Sequence, residues 1–189
     1  SHGAGQHEHR AGSIILADAL NKSKLGFEAK VIHIWPEDEK EFNDAAAVVI
    51  YADAGGRLNQ EKLDLLDKKV KAGMGIMFIH YGVHPSKKTG QNYFIPWIGG
   101  YFENRHSVNP HWTAELIPKE NHPISRGIDQ PVIANDEFYF NMRFPAKDQC
   151  QDCYPLAQAV LKPENVTLYN NHWNKLGDDG FGKKQTLMW

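Results

Sequence analysis

The stretch GIMFIHYGVHPS, residues 75–86, is the strongest indication of the fold. Residues 75–79 are apolar apart from the leading glycine, and they run directly into a turn that begins at His80. Sharp strand-to-helix turns of this kind present the nucleophile in some α/β enzymes. Here an imidazole stands where such enzymes place serine or cysteine. The turn therefore indicates an active site with different chemistry, a metal site, or an enzyme scaffold that has lost its reaction.

Segments before this turn alternate between strand-like and helical patterns. Residues 29–35 and 45–53 read as strands, and the second is nearly all apolar, as expected for a strand covered on both faces. Residues 11–21 and 60–73 show helical spacing, and Asn59 is placed to cap the second helix. The alternation predicts an α/β fold with a doubly wound, mostly parallel sheet and helices on both faces.

The pattern changes after residue 85. Residues 92–102 are aromatic and contain Pro96, which indicates short helical pieces. We expect one domain over residues 1–189. Because a right-handed βαβ unit needs a strand before its helix, we also expect a preceding N-terminal strand, and further C-terminal elements after a last strand that reads as interrupted. Strand-like segments in this half cover 112–117, 131–134, 137–143 and 154–162.

Composition and charge narrow the classes of partner. The net charge of −2 offers no basic surface, so we expect no nucleic-acid partner. The longest apolar run, residues 45–52, is far shorter than the ~20 residues that span a bilayer. The compartment stays open between a cytoplasmic, bacterial-type soluble protein and one exported after signal removal, and a homo-oligomer is compatible. The two cysteines, Cys150 and Cys153, indicate a loop with two thiols or one short-range disulfide.

Side chains suited to chemistry concentrate where a doubly wound sheet binds ligands, beyond the carboxyl ends of its strands. Asp53 lies in YADAGGR, after one strand-like run, and His80 follows the next. By contrast, His33 lies inside an apolar segment and reads as a core histidine. The other candidates at this edge are His7, Glu8, His9, Tyr81, His106, Asn109, His111, Asp136, Glu137 and Arg143.

For these candidates, a purely structural role is the alternative to a functional one. Glu8 before a helix complements the helix dipole, yet two histidines around it exceed what capping needs. His80 could simply contact a backbone carbonyl, but its place in the turn favours function. Asp136 and Glu137 could form a solvated turn, although one carboxylate beside the aromatic strand that follows is expected to point inward and to have a role there.

Five segments in order resemble the ThuA-like family, which is named for trehalose utilisation. They are SHGAGQHEHRAG, FIHYGVHP, WIGGYFENRHSVNPHWTAEL, NHPISRGI and DEFYFNMRF, and the resemblance covers residues 1–144. It implies a flavodoxin-like fold similar to that of class I glutamine amidotransferases. In those relatives the turn reads Cys-x-Gly-x-Gln, whereas His80, Gly82 and His84 stand here. The resemblance therefore implies a role in sugar metabolism, on keto-sugars or oxidised glycosides, without amidotransferase activity.

Two interpretations from different classes follow. The first is a carbohydrate-processing enzyme, a hydrolase, lyase or isomerase, that works by acid–base chemistry with or without a metal. The catalytic residues would be His80, Glu137, His111 and Asp136, with His80 as base and a carboxylate as acid. The substrate-binding residues would be His7, Glu8, Tyr81, His106, Asn109 and Arg143.

A divalent metal such as zinc is the candidate cofactor, with His7, His9 and His80 as ligands, because imidazoles beside carboxylates suit it. We expect His7, His80, His111 and Glu137 to approach one cavity. The second interpretation is a non-catalytic carbohydrate-binding or scaffold module on an amidotransferase-like fold. Loss of the nucleophile favours it, and the density of titratable groups at one edge disfavours it.

Overall fold

The computed structural model describes residues 5–36, 38–146, 153–170 and 173–189. The chain divides into two compact units, an N-terminal unit (residues 1–82) and a C-terminal unit (residues 83–189). The prediction of one domain over residues 1–189 stays a prediction. No helix in the described ranges combines the length and the apolar composition that crossing a membrane requires.

Within the described residues, the N-terminal unit contains two parallel strands and two α-helices. Helix α1 (His9–Lys22) comes first, followed by strand β1 (Ala47–Ile50), helix α2 (Gln60–Lys71) and strand β2 (Gly75–Phe78). Strands β1 and β2 pair in parallel, with Ala47 opposite Gly75 and Ile50 opposite Phe78. The order β1–α2–β2 is thus one strand–helix–strand unit, as the sequence alternation predicts.

Local sequence explains the bounds of α2. The side chain of Asn59 accepts a hydrogen bond from the Lys62 amide at 3.0 Å, which satisfies one of the free donors of the first turn. Leu63 and Leu66 share one face and are buried. The helix ends at Lys71, and Gly73 follows with φ at 103°, a conformation that glycine adopts without strain. The predicted cap and stop are both confirmed.

The end of β2 lies close to the end of β1. The Ile79 amide donates to the Ile50 carbonyl at 3.0 Å, and Gly82 passes beside the same carbonyl. A Cβ atom added at Gly82 would lie 2.9 Å from the Ile50 oxygen. Only glycine therefore allows the chain after β2 to turn at this distance from β1.

The C-terminal unit begins with short helical pieces. Helix α3 (Lys87–Thr89) continues through a π-helical turn, Gly90–Phe94, into helix α4 (Ile95–Ile98). Helix α4 ends at Ile98, and Gly99 follows it in a left-handed conformation with φ at 74°. The short helical pieces expected from the aromatic segment are confirmed.

An antiparallel sheet forms the rest of the C-terminal unit. Its strands are β3 (His111–Pro118), β4 (Val132–Glu137), β5 (Ala157–Val160), β6 (Val166–Leu168) and β7 (Lys184–Met188), and helix α5 (Lys175–Asp178) precedes the last strand. The strand order is β4-β3-β5-β7, and β6 also pairs with β3. Trp112 is fully buried, and its indole N–H donates to the Phe138 carbonyl at 2.9 Å. The buried side chains packed with it are Val108, Ala114, Phe140, Ala159 and Leu161.

The prediction of a flavodoxin-like, doubly wound, mostly parallel sheet is wrong. The described residues form a two-stranded parallel sheet and a separate five-stranded antiparallel sheet. Residues 29–35 form no strand, and His33, expected in a core, is exposed. Residues 45–53 suggested a strand covered on both faces, but only four of them form β1, and Val49 remains 48% exposed. A prediction from apolar runs alone therefore gives too many parallel strands.

Two further sequence interpretations concern the C-terminal unit. Residues 137–143, read as a strand, contribute only Glu137 to β4 and isolated bridges at Phe140 and Arg143. Cys153 takes part in a disulfide, whereas Cys150 lies outside the described residues.

We expect Gly82→Ala to lower the free energy of unfolding by about 1–3 kcal/mol, because the new methyl group meets a backbone carbonyl that is itself held by β1. Urea unfolding measures the change. Gly75→Ala is the matched control in β2, because its methyl group would meet the Ala47 side chain at 3.1 Å and would lie 3.6 Å from the nearest carbonyl, that of Ala46. Equal stability of the two variants would contradict this account of the turn.

Candidate functional site

His80 begins the turn after β2 in a left-handed backbone conformation, with φ at 50°. A non-glycine residue in this region costs on the order of 1–3 kcal/mol and persists only where its surroundings hold it. The Ile79–Ile50 hydrogen bond holds one side of the turn, and the Gly82 amide donates to the Ile79 carbonyl at 2.9 Å. This strained turn fixes the direction of the His80 side chain.

Four side chains of the N-terminal unit lie together, and we call His7, His9, Asp53 and His80 the His–Asp cluster. The Nε2 atoms of His7 and His80 are 3.0 Å apart. One of the two must donate and the other accept, so the pair shares a single proton. Oδ1 of Asp53 lies 3.7 Å from Nδ1 of His7 and 3.6 Å from Nε2 of His9.

The backbone around Asp53 holds its carboxylate inside the protein. Asp53 is only 8% exposed. It opens a turn, Asp53–Arg57, whose next four residues all have positive φ, between 47° and 77°. Such a run is costly outside glycine, and it includes Ala54 and Arg57. The turn brings a buried carboxylate beside two imidazoles, which is a combination of side chains that can bind a metal ion.

Two tyrosine rings flank the imidazoles of the cluster. The Tyr51 ring meets the His9 ring edge to face, with centroids 4.8 Å apart, and the Tyr81 ring lies 5.6 Å from that of His7. Gly12 of α1 makes room for Tyr51, because a Cβ atom there would lie 2.6 Å from the tyrosine ring. The first turn of α1 is thereby packed against the residues that follow β1, and His9 is held within the cluster.

A second polar group lies in the C-terminal unit, at the paired ends of β3 and β4. His111 is directly opposite Glu137 in this antiparallel pair. The Asn109 side-chain amide donates to Oε1 of Glu137 at 2.6 Å. Oδ1 of Asn109 is buried and accepts no hydrogen bond from any residue that the structure describes. That oxygen can accept a hydrogen bond from a ligand hydroxyl or from water.

Glu103 is a buried carboxylate at the centre of an ion-pair network in the C-terminal unit. Arg143 donates to it from Nε at 3.0 Å, Lys87 from Nζ at 3.0 Å and Tyr101 from its hydroxyl at 2.8 Å. Burial alone would raise the pKa of Glu103, but the hydrogen bonds from Arg143, Lys87 and Tyr101 outweigh it and lower the pKa to about 2. For Tyr101, burial and then the bond to Glu103 raise the pKa to about 12.

His106 lies beside this network and is half-buried. Burial lowers the pKa of its imidazole, and the nearby charge of Arg143 lowers it further. The backbone carbonyl of His106 accepts a hydrogen bond from the Asn141 side chain at 2.9 Å. His106 is thus biased toward the neutral form, which both donates and accepts hydrogen bonds.

The structure brings some of the predicted site residues together within each unit. His7, His9 and His80 meet in the His–Asp cluster, and Asn109, His111 and Glu137 meet at the β3–β4 pair. Glu8 is exposed and accepts from the Gly5 amide at 2.7 Å, without capping α1. Asp136 is also exposed, and its Oδ1 accepts from the Glu137 amide at 2.7 Å. The catalytic, binding and metal roles of all these residues stay predictions.

The sequence assigned no role to two buried carboxylates, one in each unit. Asp53 was recognised only by its place after a strand-like run, and no ligand or catalytic role was expected for it. Its signal is an aspartate between an apolar strand and a glycine pair. Glu103 carried no such signal, and it explains why Arg143, predicted to bind substrate, is already engaged with a carboxylate.

The chain resembles known proteins both in its sequence and in its fold. The profile of a family described as ThuA, trehalose utilisation, matches residues 1–170. The chain belongs to the ThuA family. Among solved structures, a ThuA-like protein from Bacteroides uniformis shares the fold, with a TM-score of 0.61 at 14% sequence identity. The match covers 86% of this chain and 67% of that one. No curated protein matches the chain significantly.

The network around Glu103 predicts how the stability of this ThuA-family chain depends on pH. The pKa of Glu103 is lower in the folded protein than its ordinary value of 4.5, so its stabilisation is complete above about pH 4.5 and is lost as the pH falls toward 2. Glu103→Gln should therefore lower the free energy of unfolding at pH 7 by up to about 3 kcal/mol and change it little near pH 2.

Urea unfolding at several pH values between 2 and 7 tests this dependence. The control is Glu115→Gln, because Glu115 is an exposed side chain of β3. A cost of Glu103→Gln that is the same at every pH would show that its charge contributes nothing.

Proposed function

We propose that this chain is a carbohydrate-processing enzyme that acts on keto-sugars or oxidised glycosides by proton transfer. The observation that carries the proposal is the left-handed His80, whose Nε2 shares a proton with Nε2 of His7 beside the buried carboxylate of Asp53. The description of the ThuA family as trehalose utilisation supports the substrate class.

The chemistry of the substrate explains the need for such a pair. A carbonyl group on a sugar ring acidifies the hydrogen on the neighbouring carbon. A base that removes this hydrogen leaves an enolate, from which a neighbouring glycosidic oxygen can be expelled or the double bond can move. Lyase and isomerase reactions thus share this first step. It requires a positioned base and a donor for the developing oxyanion.

The His–Asp cluster supports the role of His80 as the proton-transfer group. Imidazole exchanges protons near neutral pH, and Nε2 of His80 passes or receives a proton along the 3.0 Å contact with His7. Oδ1 of Asp53 lies 3.7 Å from Nδ1 of His7, the ring nitrogen that does not contact His80. The turn holds His80 in place without any contribution from the substrate. This lowers the entropic cost of positioning the base for the reaction.

The group at the β3–β4 pair supports roles in acid catalysis and hydroxyl recognition. Glu137 is half-buried and is held by Asn109, so it is oriented in the way that a catalytic acid requires. His111 opposite it, and the buried Oδ1 of Asn109, offer hydrogen bonds to sugar hydroxyls. Asp136 is the weaker candidate, because it is exposed and accepts the amide of its neighbour.

We expect His80→Gln to lower kcat on a keto-glycoside by ~10²-fold or more, the usual scale for a positioned acid or base. KM should change much less, because glutamine keeps a hydrogen-bonding end of similar reach. The free energy of unfolding should change by only ~1 kcal/mol. Steady-state kinetics with a glycoside oxidised to a ketone on its ring measures both constants.

The control for this variant is His33→Gln, an exposed histidine outside the cluster. Unchanged kcat in His80→Gln would remove His80 from the reaction. Binding of the keto-glycoside by wild type without any turnover would instead favour the non-catalytic binding module.

Glu137→Gln and Asp136→Asn are a matched pair that separates the two carboxylates. We expect the first to lower kcat by ~10²-fold or more, and the second to leave it within a few-fold, because only Glu137 is half-buried and held by Asn109. The pH dependence of kcat adds a second measurement, since loss of an essential acid removes one limb of the profile. The opposite ranking would assign the acid to Asp136.

A further inference from the structure

We propose that the N-terminal unit holds a divalent metal ion between Nδ1 of His7, Nε2 of His9 and the carboxylate of Asp53. One oxygen, Oδ1 of Asp53, lies 3.7 Å from the first nitrogen and 3.6 Å from the second. One ligand atom from each of the three residues lies within 4.8 Å of the others. The site stands on this geometry and does not depend on the proposed reaction.

The distances from Oδ1 of Asp53 to the two imidazole nitrogens fit ligands of one ion better than hydrogen bonds between the side chains. A hydrogen bond from an imidazole to a carboxylate brings nitrogen and oxygen to about 2.7–2.9 Å. Two ligands bound tetrahedrally at about 2.0–2.2 Å from an ion lie about 3.3–3.6 Å apart. The two distances to Asp53 are near this second range. The three ligand atoms are therefore spaced as for one shared ion, and we call the place between them the common point.

His9 provides an independent observation. Its Nε2 atom is buried, and it makes no hydrogen bond to any residue within the described ranges. A buried ring nitrogen without such a bond is costly unless a ligand or water satisfies it. The Tyr51 ring, packed edge to face on His9, keeps this nitrogen directed toward Asp53. A metal ion at the common point would satisfy it.

His80 lies behind His7 rather than at the proposed ion. An ion on Nδ1 of His7 leaves the proton of this ring on Nε2, which then donates to Nε2 of His80 at 3.0 Å. Metal-binding histidines usually donate their second nitrogen to such a partner, which fixes the orientation of the ring. His80 is thus a positioning residue for the metal site, whereas the sequence suggested it as a ligand.

The donor set indicates the kind of ion. Two imidazoles and one carboxylate suit Zn²⁺, whereas Ca²⁺ and Mg²⁺ prefer oxygen ligands. Three protein ligands leave a fourth tetrahedral position for water or for an oxygen of a bound molecule. The left-handed turn from Asp53 to Arg57 holds the carboxylate in place before the ion binds.

Zinc titration of the purified, chelator-treated chain tests the proposal, with a competing chromophoric chelator as the readout. Wild type should bind one Zn²⁺, and binding should raise its unfolding temperature. His9→Gln and Asp53→Asn should each weaken binding by ~100-fold or more and abolish this rise. His33→Gln, the exposed control, should bind like wild type. Circular dichroism establishes whether each variant folds, and His9→Gln serves if Asp53→Asn does not.

His80→Gln separates a ligand from a positioning residue. Loss of an outer partner of a metal ligand typically weakens binding by ~10–100-fold, so this variant should bind more tightly than His9→Gln. Equal losses in the two variants would make His80 a ligand and overturn the assignment. Absence of stoichiometric binding by wild type, or undiminished binding by both His9→Gln and Asp53→Asn, would overturn the site itself. Because affinity is measured without substrate, these outcomes are independent of the proposed reaction.

Discussion

The carbonyl of Ile50 is the point on which the N-terminal unit depends. It accepts the Ile79 amide and lies against Gly82, so the chain leaving β2 must turn sharply beside the end of β1. The turn forces His80 into a left-handed conformation and directs its imidazole toward His7. One close backbone contact thus determines where the central side chain of the candidate site lies.

Two buried carboxylates show how burial and hydrogen bonding distinguish structure from function. Glu103 is saturated: an arginine, a lysine and a tyrosine donate to it at 2.8–3.0 Å, and its pKa is low. Such a network stabilises its unit and leaves little capacity for a substrate. Asp53 is buried to the same degree but faces its imidazoles at 3.6–3.7 Å. Two imidazoles beside a buried carboxylate can bind an ion or exchange a proton, which is why the His–Asp cluster is the better functional candidate.

The wrong prediction of the sheet has a specific physical origin. Continuous apolar runs are typical of strands buried on both faces, and two such runs became β1 and β2. Residues 29–35 are also mostly apolar, although Lys30 and His33 interrupt them, and they form no strand. A hydrophobic pattern describes which side chains prefer burial and not which backbone groups find a partner. The second half shows the alternation of antiparallel strands, for example in β3, where half-buried and fully buried residues alternate over His111–Ala114.

Short-range features of this chain follow from its sequence alone. These features depend on neighbouring residues or on ordered motifs. They are the Asn59 cap, the stop at Gly73, the short helical pieces around Pro96, the turn that begins at His80 and the membership of the ThuA family. The tertiary structure alone decided that Asp53 joins His7, His9 and His80, and that Arg143 is bound to Glu103. These contacts join residues 40 or more positions apart, and their distances depend on backbone packing that no local pattern encodes.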